Sequence, residues 1–341
     1  MRIMMSGFGT VGQGFAEVLI LKRGFLEEKY GKVVKIVGVM DSSTYAADAS
    51  GLSPKDLLER KRSTGKVGTS KYQDPKKVMD SIEYDLLVEV TPTDIKTGGV
   101  GLKNIRYALQ SGKDVITVNK GPLALNFCEL VALAKQNGCK FRFEGSVGGA
   151  MPIINLCREC LVGEKISSIR GIFNGTCNFI LSKMDNGQSF EQALKEAQQM
   201  GYAEADPTND IEGYDSACKV AILANSIFRK SVTLSDVKIT GISSVTSEAI
   251  ALAASNNKVI RLIGEVSDER LEVAPRLVPK GHPLSITGTL NAAQVVTDLA
   301  GPVSISGKGA GSIETASAIL SDLVSIMDDR KERRERCQNQ L

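Results

Sequence analysis

A strand, a glycine-rich turn and a helix follow one another at the start of the chain. Residues 2–6 are apolar, residues 7–12 read Gly-Phe-Gly-Thr-Val-Gly, and the segment after them carries apolar side chains at helical spacing. Gly7, Gly9 and Gly12 permit a tight turn and allow backbone N–H groups to approach a pyrophosphate at the helix N-terminus. The glycine spacing alone would be weak evidence, but in this setting it predicts a dinucleotide-binding domain.

Further apolar segments alternate with helical ones over the first part of the chain. The strand-like segments are residues 33–40, 84–90, 114–119 and 139–144. Alternation of this kind is typical of a doubly wound parallel sheet, so the predicted fold class is α/β of Rossmann type. We expect the nucleotide-binding domain to occupy residues 1–150, with ligands at the carboxyl ends of the strands.

The pattern changes after residue 150, where strand-like segments lie closer together. These segments are residues 165–173, 237–242, 259–266 and 271–278. They predict a second, α+β domain with an open sheet over residues 151–300, which would bind the substrate. A glycine-rich loop at residues 307–311 precedes a last helix, and we expect residues 301–341 to return to the nucleotide-binding domain.

Composition argues against several classes of protein. Of the 341 residues, 24% are charged and 42% are hydrophobic, and the formal net charge is only +3. Neither a nucleic acid nor a membrane surface is therefore an expected partner. No apolar run reaches the roughly 18 residues that a membrane span needs. Seven cysteines at irregular spacing fit reduced thiols in the cytoplasm.

The supply of side chains for proton transfer is also limited. The chain contains one histidine, His282, which argues against a histidine-dependent catalytic triad or a metal site built from histidines. Proton transfer must therefore come from lysine, aspartate, glutamate, tyrosine or water.

Acidic residues are concentrated in one stretch of the second domain. Five carboxylates lie between Glu204 and Asp215 and are followed by Lys219, with Pro207 and Gly213 interrupting the run. The proline and the glycine predict a loop that leads into a helix, and charged loops on a rigid scaffold are common sites of binding and catalysis. Several acids close to one lysine would also suit a substrate that carries an ammonium group.

Two lysines are the best candidates for proton transfer, because hydride exchange with a carbonyl requires one proton and stabilisation of oxyanion charge. Lys120 follows the strand-like segment 114–119, at the sheet edge where ligands are expected. Asp215 and Lys219 are four residues apart and share one face of a helix, where they can pair. An ordinary surface ion pair is the alternative, although the neighbouring residues of that helix are largely apolar.

The choice of coenzyme depends on Asp41, which follows the second strand-like segment. An acidic residue at this place commonly accepts hydrogen bonds from the adenosine ribose and disfavours a 2′-phosphate, which favours NAD over NADP. Its separation from Gly12 is longer than the usual ~20 residues, so a surface-turn aspartate is the alternative. Lys61 and Arg62 could still meet a phosphate.

Taken together, these segments resemble the homoserine dehydrogenases. The sequence Gly-Tyr-Ala-Glu-Ala-Asp-Pro at residues 201–207 is highly specific to that family, and the matching segments span almost the whole chain. The segments are residues 7–12, 119–120, 144–152, 174–181, 201–219, 221–224 and 307–315. The resemblance implies NAD- or NADP-dependent interconversion of L-homoserine and L-aspartate 4-semialdehyde. It is a resemblance to the short form of the family, so we expect neither a regulatory domain nor a fused kinase.

The resemblance also implies a role for individual residues. Lys219 would be the acid/base that protonates the aldehyde oxygen, and Lys120 would assist beside the nicotinamide. Glu204 and Asp215 would hold the amino group of the substrate, with Asp210 in support. Residues that would line the substrate pocket are Gly175 and Thr176. Residues that would border the coenzyme are Phe8, Thr10, Val11, Thr91 and Gly311.

A sodium ion and a homodimer are further implications of the resemblance. Glu144 and the backbone carbonyls of Val147, Gly149 and Met151 match a sodium site of the family, and a hard cation takes oxygen ligands. A cap at the end of a strand is the alternative role for Glu144. Family members are commonly dimers through sheet pairing of the second domain, so we expect a homodimer.

Two other interpretations of the sequence stay open. An aspartate-semialdehyde dehydrogenase would need a cysteine thiolate with a basic partner, and Cys177 with His282 is the pair that the chain offers. A nucleotide-sensing protein could keep the same fold without turnover. The presence of Lys120 and Lys219 together with the acidic run argues against a sensor.

Overall fold

The computed structural model describes residues 1–31, 34–72 and 74–338, with side chains as far as residue 332. The strands are β1 (Arg2–Ser6), β2 (Lys35–Met40), β3 (Thr44–Leu52), β4 (Ser70–Lys71), β5 (Leu86–Glu89), β6 (Asp114–Thr117), β7 (Phe141–Arg142), β8 (Ile166–Ile172), β9 (Lys238–Ile239), β10 (Lys258–Ser267), β11 (Leu271–Pro279), β12 (Leu290–Thr297) and β13 (Pro302–Lys308). The α-helices are α1 (Thr10–Leu21), α2 (Arg23–Tyr30), α3 (Pro54–Thr64), α4 (Pro75–Asp80), α5 (Gly99–Gln110), α6 (Lys120–Gln136), α7 (Ile153–Asn155), α8 (Gly175–Asp185), α9 (Phe190–Gln199), α10 (Thr208–Ile211), α11 (Tyr214–Ser226), α12 (Ser247–Ser255) and α13 (Ser312–Gln338). Among the helices described, none combines the length and the apolar character needed to cross a membrane.

The chain divides into two compact units, of which the first comprises Met1–Ser146 and Gly311–Leu341. It contains a seven-stranded sheet in the order β4-β3-β2-β1-β5-β6-β7. β1 pairs in parallel with β2 and β5, and β6 pairs in parallel with β5 and β7. These strands confirm the predicted α/β fold of Rossmann type. The structure starts β2 at Lys35, and Val33 of the predicted segment lies outside the described residues.

Two antiparallel strands that the sequence pattern does not predict extend this sheet at one edge. β3 pairs antiparallel with β2, and β4 pairs antiparallel with β3. The sequence of β3 is rich in alanine, aspartate, serine and glycine, and four of its nine residues are exposed. β3 therefore lacks the alternation of apolar and polar residues that predicts a half-buried strand. It is a strand because its backbone pairs with β2.

Helices cover both faces of the first sheet, as a parallel sheet requires. On one face α1, α3 and α13 bury a cluster that includes Phe15, Leu57 and Leu323. On the other face α4, α5 and α6 bury a second cluster that includes Ile105 and Leu130. Because the central strands are buried on both sides, their sequences are continuous apolar runs, and this is why they could be predicted.

The second unit, Val147–Ala310, contains a six-stranded sheet in the order β13-β12-β8-β10-β11-β9. Its strands are antiparallel neighbours, except that β9 runs parallel to β11. Helices α8, α11 and α12 pack against β10. An open, mostly antiparallel sheet with helices packed on it is the predicted α+β architecture.

The chain stays in the second unit for longer than its sequence suggests. Residues 302–308 form β13, which pairs antiparallel with β12 along its whole length. The return to the first unit therefore begins at Gly311, whereas we expected it at residue 301. β13 reads Pro-Val-Ser-Ile-Ser-Gly-Lys, in which only the four residues Val-Ser-Ile-Ser alternate between apolar and polar, between a proline and a glycine. So short a pattern does not predict a strand by itself, and the hairpin with β12 decides it.

Candidate active site

The glycine turn after β1 has the backbone geometry that the sequence predicts. Gly7 has a φ of +98°, and a Cβ atom there would lie 2.6 Å from the carbonyl oxygen of Val90. A Cβ atom at Gly12 would lie 2.6 Å from the carbonyl oxygen of Gly7. Only glycine fits at these two positions, because one needs a left-handed backbone and both touch another main chain.

Gly9 differs from its two neighbours because space lies beside it. A Cβ atom at Gly9 would meet no described atom within 4 Å, and α1 begins directly after it with no side-chain cap among the described residues. The first N–H groups of a helix need a partner, and an anion at the N-terminus provides one. The residues present therefore fit the pyrophosphate of a dinucleotide.

The other residues assigned to the coenzyme differ in how exposed they are to a ligand. Phe8 is buried in the core of the first unit, so only its backbone is available to a coenzyme. Thr10 is exposed, and its carbonyl oxygen accepts a hydrogen bond from Ser312 at 2.8 Å. Val11 and Thr91 are half-buried, and Gly311 is exposed with a φ of +137°.

Asp41 is turned into the protein. Its Oδ1 atom accepts hydrogen bonds from the Ser43 and Thr44 N–H groups at 3.0 and 2.8 Å. Its Oδ2 atom accepts from Lys61 Nζ at 2.8 Å and from the Val67 N–H at 3.0 Å. The bonds of Oδ1 close the turn between β2 and β3, and those of Oδ2 tie this turn to α3 and to the segment after it. The carboxylate therefore has a structural role, and its contact with a ribose stays a prediction.

The pKa of Asp41 is held well below its usual range. Burial by itself would raise it, but the Lys61 ammonium and the backbone N–H groups that donate to the carboxylate outweigh burial. Because the pKa is lower in the folded than in the unfolded protein, the carboxylate stabilises the fold above the unfolded pKa of about 3.9. This contribution is lost as the pH falls through the lower folded pKa.

Replacing Asp41 by asparagine is therefore expected to destabilise the protein by about 2 kcal/mol near neutral pH. The difference from wild type should shrink as the pH falls below about 4, since Asp41 of the unfolded wild-type chain then takes up a proton while the folded protein keeps the carboxylate ionised. Chemical denaturation at a series of pH values measures this. Asp268→Asn, at an exposed aspartate between β10 and β11, is the control. A loss in Asp41→Asn that stays constant with pH would contradict the role of the charge.

Lys120 is the first residue of α6, directly after the carboxyl end of β6, and is half-buried. Asn119 caps this helix by accepting a hydrogen bond from the Gly121 N–H at 3.3 Å. The structure thus places Lys120 at the edge of the first sheet where ligands of open α/β folds bind, as the sequence predicts.

Lys219 is a buried lysine in the second unit. Only 7% of the residue is exposed, and every residue of α11 from Ser216 to Ser226 is buried. Its Nζ atom lies 2.6 Å from Asp215 Oδ2 and 2.6 Å from the carbonyl oxygen of Phe173. The alternative of an ordinary surface ion pair is therefore wrong, because both charged side chains are largely removed from water.

Asn174 contacts the acidic cluster beside Lys219, although the sequence assigns it no role. Its Oδ1 atom accepts a hydrogen bond from the Cys177 N–H at 2.8 Å and so caps α8. Its Nδ2 group donates to Asp210 Oδ1 at 2.7 Å and to Asp215 Oδ2 at 3.0 Å. An asparagine directly before a helix is a common cap, but no local signal indicates the contacts with the two aspartates.

The other residues assigned to the substrate lie at the start of α8 and on the loop between α9 and α10. Glu204 is exposed on the loop between α9 and α10. Thr176 Oγ1 donates to the carbonyl oxygen of Tyr202 at 2.7 Å, which ties the start of α8 to that loop. A Cβ atom at Gly175 would lie 2.5 Å from the carbonyl oxygen of Thr289, so the close approach of two main chains requires glycine there.

Cys177 lies in the same part of the second unit but is unsuited to nucleophilic attack. It is fully buried, and its Sγ atom lies 3.1 Å from the carbonyl oxygen of Asp210. Burial, reinforced by the carboxylates of Asp210 and Asp215, raises the pKa of the thiol well above its usual value. A protonated, inaccessible thiol argues against chemistry of the aspartate-semialdehyde dehydrogenase type.

Cys177 is accordingly expected to resist alkylation in the folded protein. Iodoacetamide should modify the exposed Cys128 and Cys160 first, and Cys177 should react only after unfolding, because the thiolate is the reacting species. Peptide mass spectrometry after short exposure measures each site. Modification of Cys177 as fast as that of Cys128 would show that a thiolate nucleophile is available after all.

The residues assigned to sodium are divided between the two units. Glu144, in the first unit, is buried, and its backbone N–H donates to Asp322 Oδ2 at 3.0 Å. Val147 and Met151, in the second unit, are buried, and Gly149 has a φ of +60°. Within the part of the chain that the structure describes, no three histidine, cysteine, aspartate or glutamate side chains cluster to hold a metal ion. The sodium site therefore stays a prediction.

The first unit has a Rossmann-type sheet with an open glycine turn, and the second has a buried lysine paired with a carboxylate. A glycine turn that can bind a dinucleotide and a buried lysine that can transfer a proton are the features of an NAD(P)-dependent oxidoreductase, and this is the class of the protein. The profile described as "Homoserine dehydrogenase, NAD binding domain" matches residues 7–144, and the profile described as "Homoserine dehydrogenase" matches residues 152–324.

Individual relatives agree with these profiles. The homoserine dehydrogenase of Methanocaldococcus jannaschii is 49% identical over 338 residues, which cover 97% of this chain and all of the relative. A crystal structure from Archaeoglobus fulgidus has a TM-score of 0.89 at 47% identity, covering 96% of this chain and 99% of that one. A hyperthermophilic archaeal homoserine dehydrogenase in complex with NADPH has a TM-score of 0.82 at 30% identity, covering 95% of this chain and 96% of that one.

The chain belongs to the homoserine dehydrogenase family. It is an oxidoreductase that interconverts L-homoserine and L-aspartate 4-semialdehyde with NAD or NADP.

Proposed function

We propose that Lys219 is the acid/base group of this reaction. The observation that supports the proposal most directly is the burial of its ammonium group, with Nζ 2.6 Å from both Asp215 Oδ2 and the Phe173 carbonyl oxygen. Among the described residues these contacts use two of the three N–H donors of the lysine, so one remains for an oxygen of the substrate. A buried and oriented proton donor is what reduction of a carbonyl requires.

Proton transfer at Lys219 balances the hydride that NAD(P), when bound, exchanges with the substrate carbon. In the reducing direction Lys219 donates a proton to the aldehyde oxygen as the new C–H bond forms, which gives the hydroxyl group of homoserine. In the oxidising direction the neutral amine of Lys219 takes the hydroxyl proton as that C–H bond breaks. Asp215 orients the lysine through Oδ2, and Asn174 orients Asp215 through the same oxygen.

The other catalytic and substrate-binding roles rest on the resemblance and on the placement of the residues. Lys120 would assist at the reacting oxygen, since it follows the carboxyl end of β6. Glu204, on an exposed loop, would bind the ammonium group of homoserine together with Asp215, with Asp210 in support. The residues that would line the substrate are Gly175 and Thr176.

Initial rates with L-homoserine and each coenzyme test the reaction and the coenzyme preference together. We expect faster reduction of NAD than of NADP, because the two cations considered for a 2′-phosphate are already paired. Lys61 lies 2.8 Å from Asp41, and Arg62 lies 2.5 Å from Glu17. Reduction of neither coenzyme above background would overturn the reaction, whereas faster reduction of NADP would overturn only the preference.

A sodium ion would be held by Glu144 and the carbonyl oxygens of Val147, Gly149 and Met151. An anionic carboxylate with neutral oxygen donors suits a hard cation. Activity and thermal unfolding should be measured at constant ionic strength, with sodium replaced by tetramethylammonium, which is too bulky for such a site. Loss of both activity and thermal stability is expected, and unchanged values would exclude the ion.

A homodimer would form through the edge of the second sheet. β13 is the outermost strand on one side of that sheet, and alternate residues along it are exposed. An edge strand offers unpaired backbone groups to a second copy of the chain. Light scattering should then give twice the 36.5 kDa mass of the chain, and a mass equal to that of one chain would contradict the dimer.

The cytoplasm is the compartment in which we place the enzyme. The cysteines whose side chains the structure describes form no disulfide with one another, as expected in a reducing compartment. Fractionation of cells that express a tagged chain would test this location.

A further inference from the structure

Glu89 is a buried acid that the mechanism above does not use. It is the last residue of β5, between β1 and β6, and none of its surface is exposed. Its Oε1 atom accepts hydrogen bonds from the Thr91 N–H at 3.0 Å and from the Thr91 hydroxyl. Its Oε2 atom lies 3.1 Å from Thr117 Oγ1. A carboxyl group placed away from water in this way requires a reason, because burial of an acid is costly.

The hydrogen bonds of Glu89 join the two loops that leave the carboxyl ends of β5 and β6. Asn119 donates its backbone N–H to Thr117 Oγ1 at 3.0 Å. Its side-chain Nδ2 group donates to the Thr91 carbonyl and hydroxyl oxygens, each at 3.2 Å, and to the Pro92 carbonyl oxygen at 3.3 Å. Glu89, Thr91, Thr117 and Asn119 therefore form one continuous network beneath this edge of the sheet.

The network ends at residues that the family assignment places next to the coenzyme. Thr91 belongs to the predicted coenzyme border, and Lys120 follows Asn119 directly. A Cβ atom at Gly101 of α5 would lie 3.2 Å from Glu89 Cδ and 2.5 Å from Asn119 Nδ2, so a residue larger than glycine there would push into the network. A displacement of Glu89 would release both loops at once.

We propose that Glu89 is a positioning residue of the coenzyme site, whose buried carboxyl group holds the Thr91 and Asn119 loops in register and whose charge modulates nucleotide affinity. This inference rests on the proposed function, because it takes the edge formed by these loops to be where the nucleotide binds. Glu89 itself is covered by the loops and acts through them.

The same interatomic distances accommodate both charge states of Glu89. In the ionised state Thr117 donates its hydroxyl hydrogen to Oε2. In the protonated state Oε2–H donates to Thr117 Oγ1, and the Thr117 hydrogen turns to the carbonyl oxygen of Glu89, which also lies 3.1 Å away. Protonation thus changes the charge beneath the loops without requiring a change in their shape.

The pKa of Glu89 lies close to neutral pH, so its carboxyl group changes charge there. Burial raises the pKa of Glu89 to about 7, in spite of the opposing hydrogen bonds from Thr91, Thr117 and Asn119. Above that pH an additional negative charge lies beneath a site for an anionic pyrophosphate. Nucleotide binding should therefore weaken as the pH rises through this range.

The groups that pack directly against Glu89 carry no charge. Ser6 of β1 is its strand neighbour, and Gly101 of α5 lies beside its carboxyl group. Charged side chains on the two loops are those of Asp94, Lys96 and Lys120. Hydrogen bonds from the Thr97 hydroxyl and nearby backbone N–H groups lower the pKa of Asp94, which therefore stays ionised.

The test is NADH binding, followed by fluorescence in the absence of homoserine, at about pH 6 and about pH 8.5. For the wild type we expect the dissociation constant to rise by roughly three- to tenfold between these pH values. Glu89→Gln keeps the shape and can donate to Thr117, so it should bind as the wild type does at the lower pH and show no such rise. Glu129→Gln, at a surface carboxylate of α6, should keep the wild-type profile.

A second variant tests the link between the loops. Glu89→Ala is expected to raise KM for the coenzyme by at least roughly tenfold with a smaller change in kcat, since it removes orientation of the loops and not the reacting lysine. Thermal unfolding of each variant shows whether the protein remains folded. Glu89→Gln should restore the low KM, whereas Glu89→Met, which fills the space without making the hydrogen bonds, should not. A purely structural defect in packing would be relieved by both variants.

The possible failures can be told apart. A wild-type profile that persists in Glu89→Gln would assign the titration to another group and would overturn the role of the Glu89 charge. A KM for Glu89→Ala equal to that of wild type would overturn the positioning role. Failure of the wild type to bind NADH at either pH would contradict the coenzyme site itself, and the inference would fall with the proposed function.

Discussion

Replacing Lys219 by methionine is expected to lower the turnover of L-homoserine by a factor of roughly 10²–10⁴, the usual contribution of a positioned acid or base. Methionine has a similar length and suits the buried, apolar surroundings of α11, but it can neither donate nor accept the proton. NADH binding should be retained, because the glycine turn and the Glu89 network belong to the first unit.

Two further variants make this result interpretable. Lys183→Met removes a half-exposed lysine of α8 whose Nζ atom lies 2.6 Å from Glu196, and wild-type turnover is expected. Lys219→Arg keeps a cation beside Asp215 but cannot give up its proton, so it should be nearly as inactive as Lys219→Met. Turnover within a few-fold of wild type in both Lys219 variants would show that Lys219 does not transfer the proton.

Alanine at Gly7 should mainly lower the stability of the fold, whereas alanine at Gly9 should mainly weaken coenzyme binding. Gly7→Ala is expected to destabilise the protein by about 2–4 kcal/mol, because it adds a Cβ atom at positive φ against a main-chain oxygen. Gly9→Ala should leave stability almost unchanged, since no described atom lies near the new methyl group. It should nevertheless raise the dissociation constant of NADH by at least roughly tenfold, because the backbone there approaches the pyrophosphate closely.

Thermal unfolding and fluorescence titration separate these two effects. Gly24→Ala is a suitable control, because a Cβ atom there also meets no described atom within 4 Å, and Gly24 lies in α2 away from the turn. It should bind NADH as the wild type does. Wild-type affinity in Gly9→Ala would mean that the pyrophosphate does not approach this turn.

The parts of the fold that the sequence predicts are those whose signals are local. β1, β5 and β6 are continuous apolar runs because both faces of the first sheet are covered. β3 and β13 gave no such signal, since their residues are small or polar and many are exposed. Each is a strand because it pairs with a neighbour, and neither its composition nor its alternation indicates this in advance.

The same distinction holds in the second unit. The spacing of Asp215 and Lys219 predicts their pairing, because residues four apart share a helix face. Burial of the pair and its contacts with Phe173 and Asn174 could not be predicted, since those residues are 46 and 41 positions away in the chain. The family resemblance supplied the remaining assignments, and they stay predictions until the variants are measured.

The amino-acid sequence by itself determined the glycine turn, the parallel strands of the first unit, and the acidic run that leads to Lys219. These features depend on backbone conformation and on spacing within a few residues, which each segment carries independently of its surroundings. Only the tertiary structure decided that Asp41 faces inward, that Asn174 contacts two aspartates, and that Glu89 is buried beneath two loops. Such outcomes depend on which distant segments exclude water from a side chain, and that is settled only when the sheets and helices pack together.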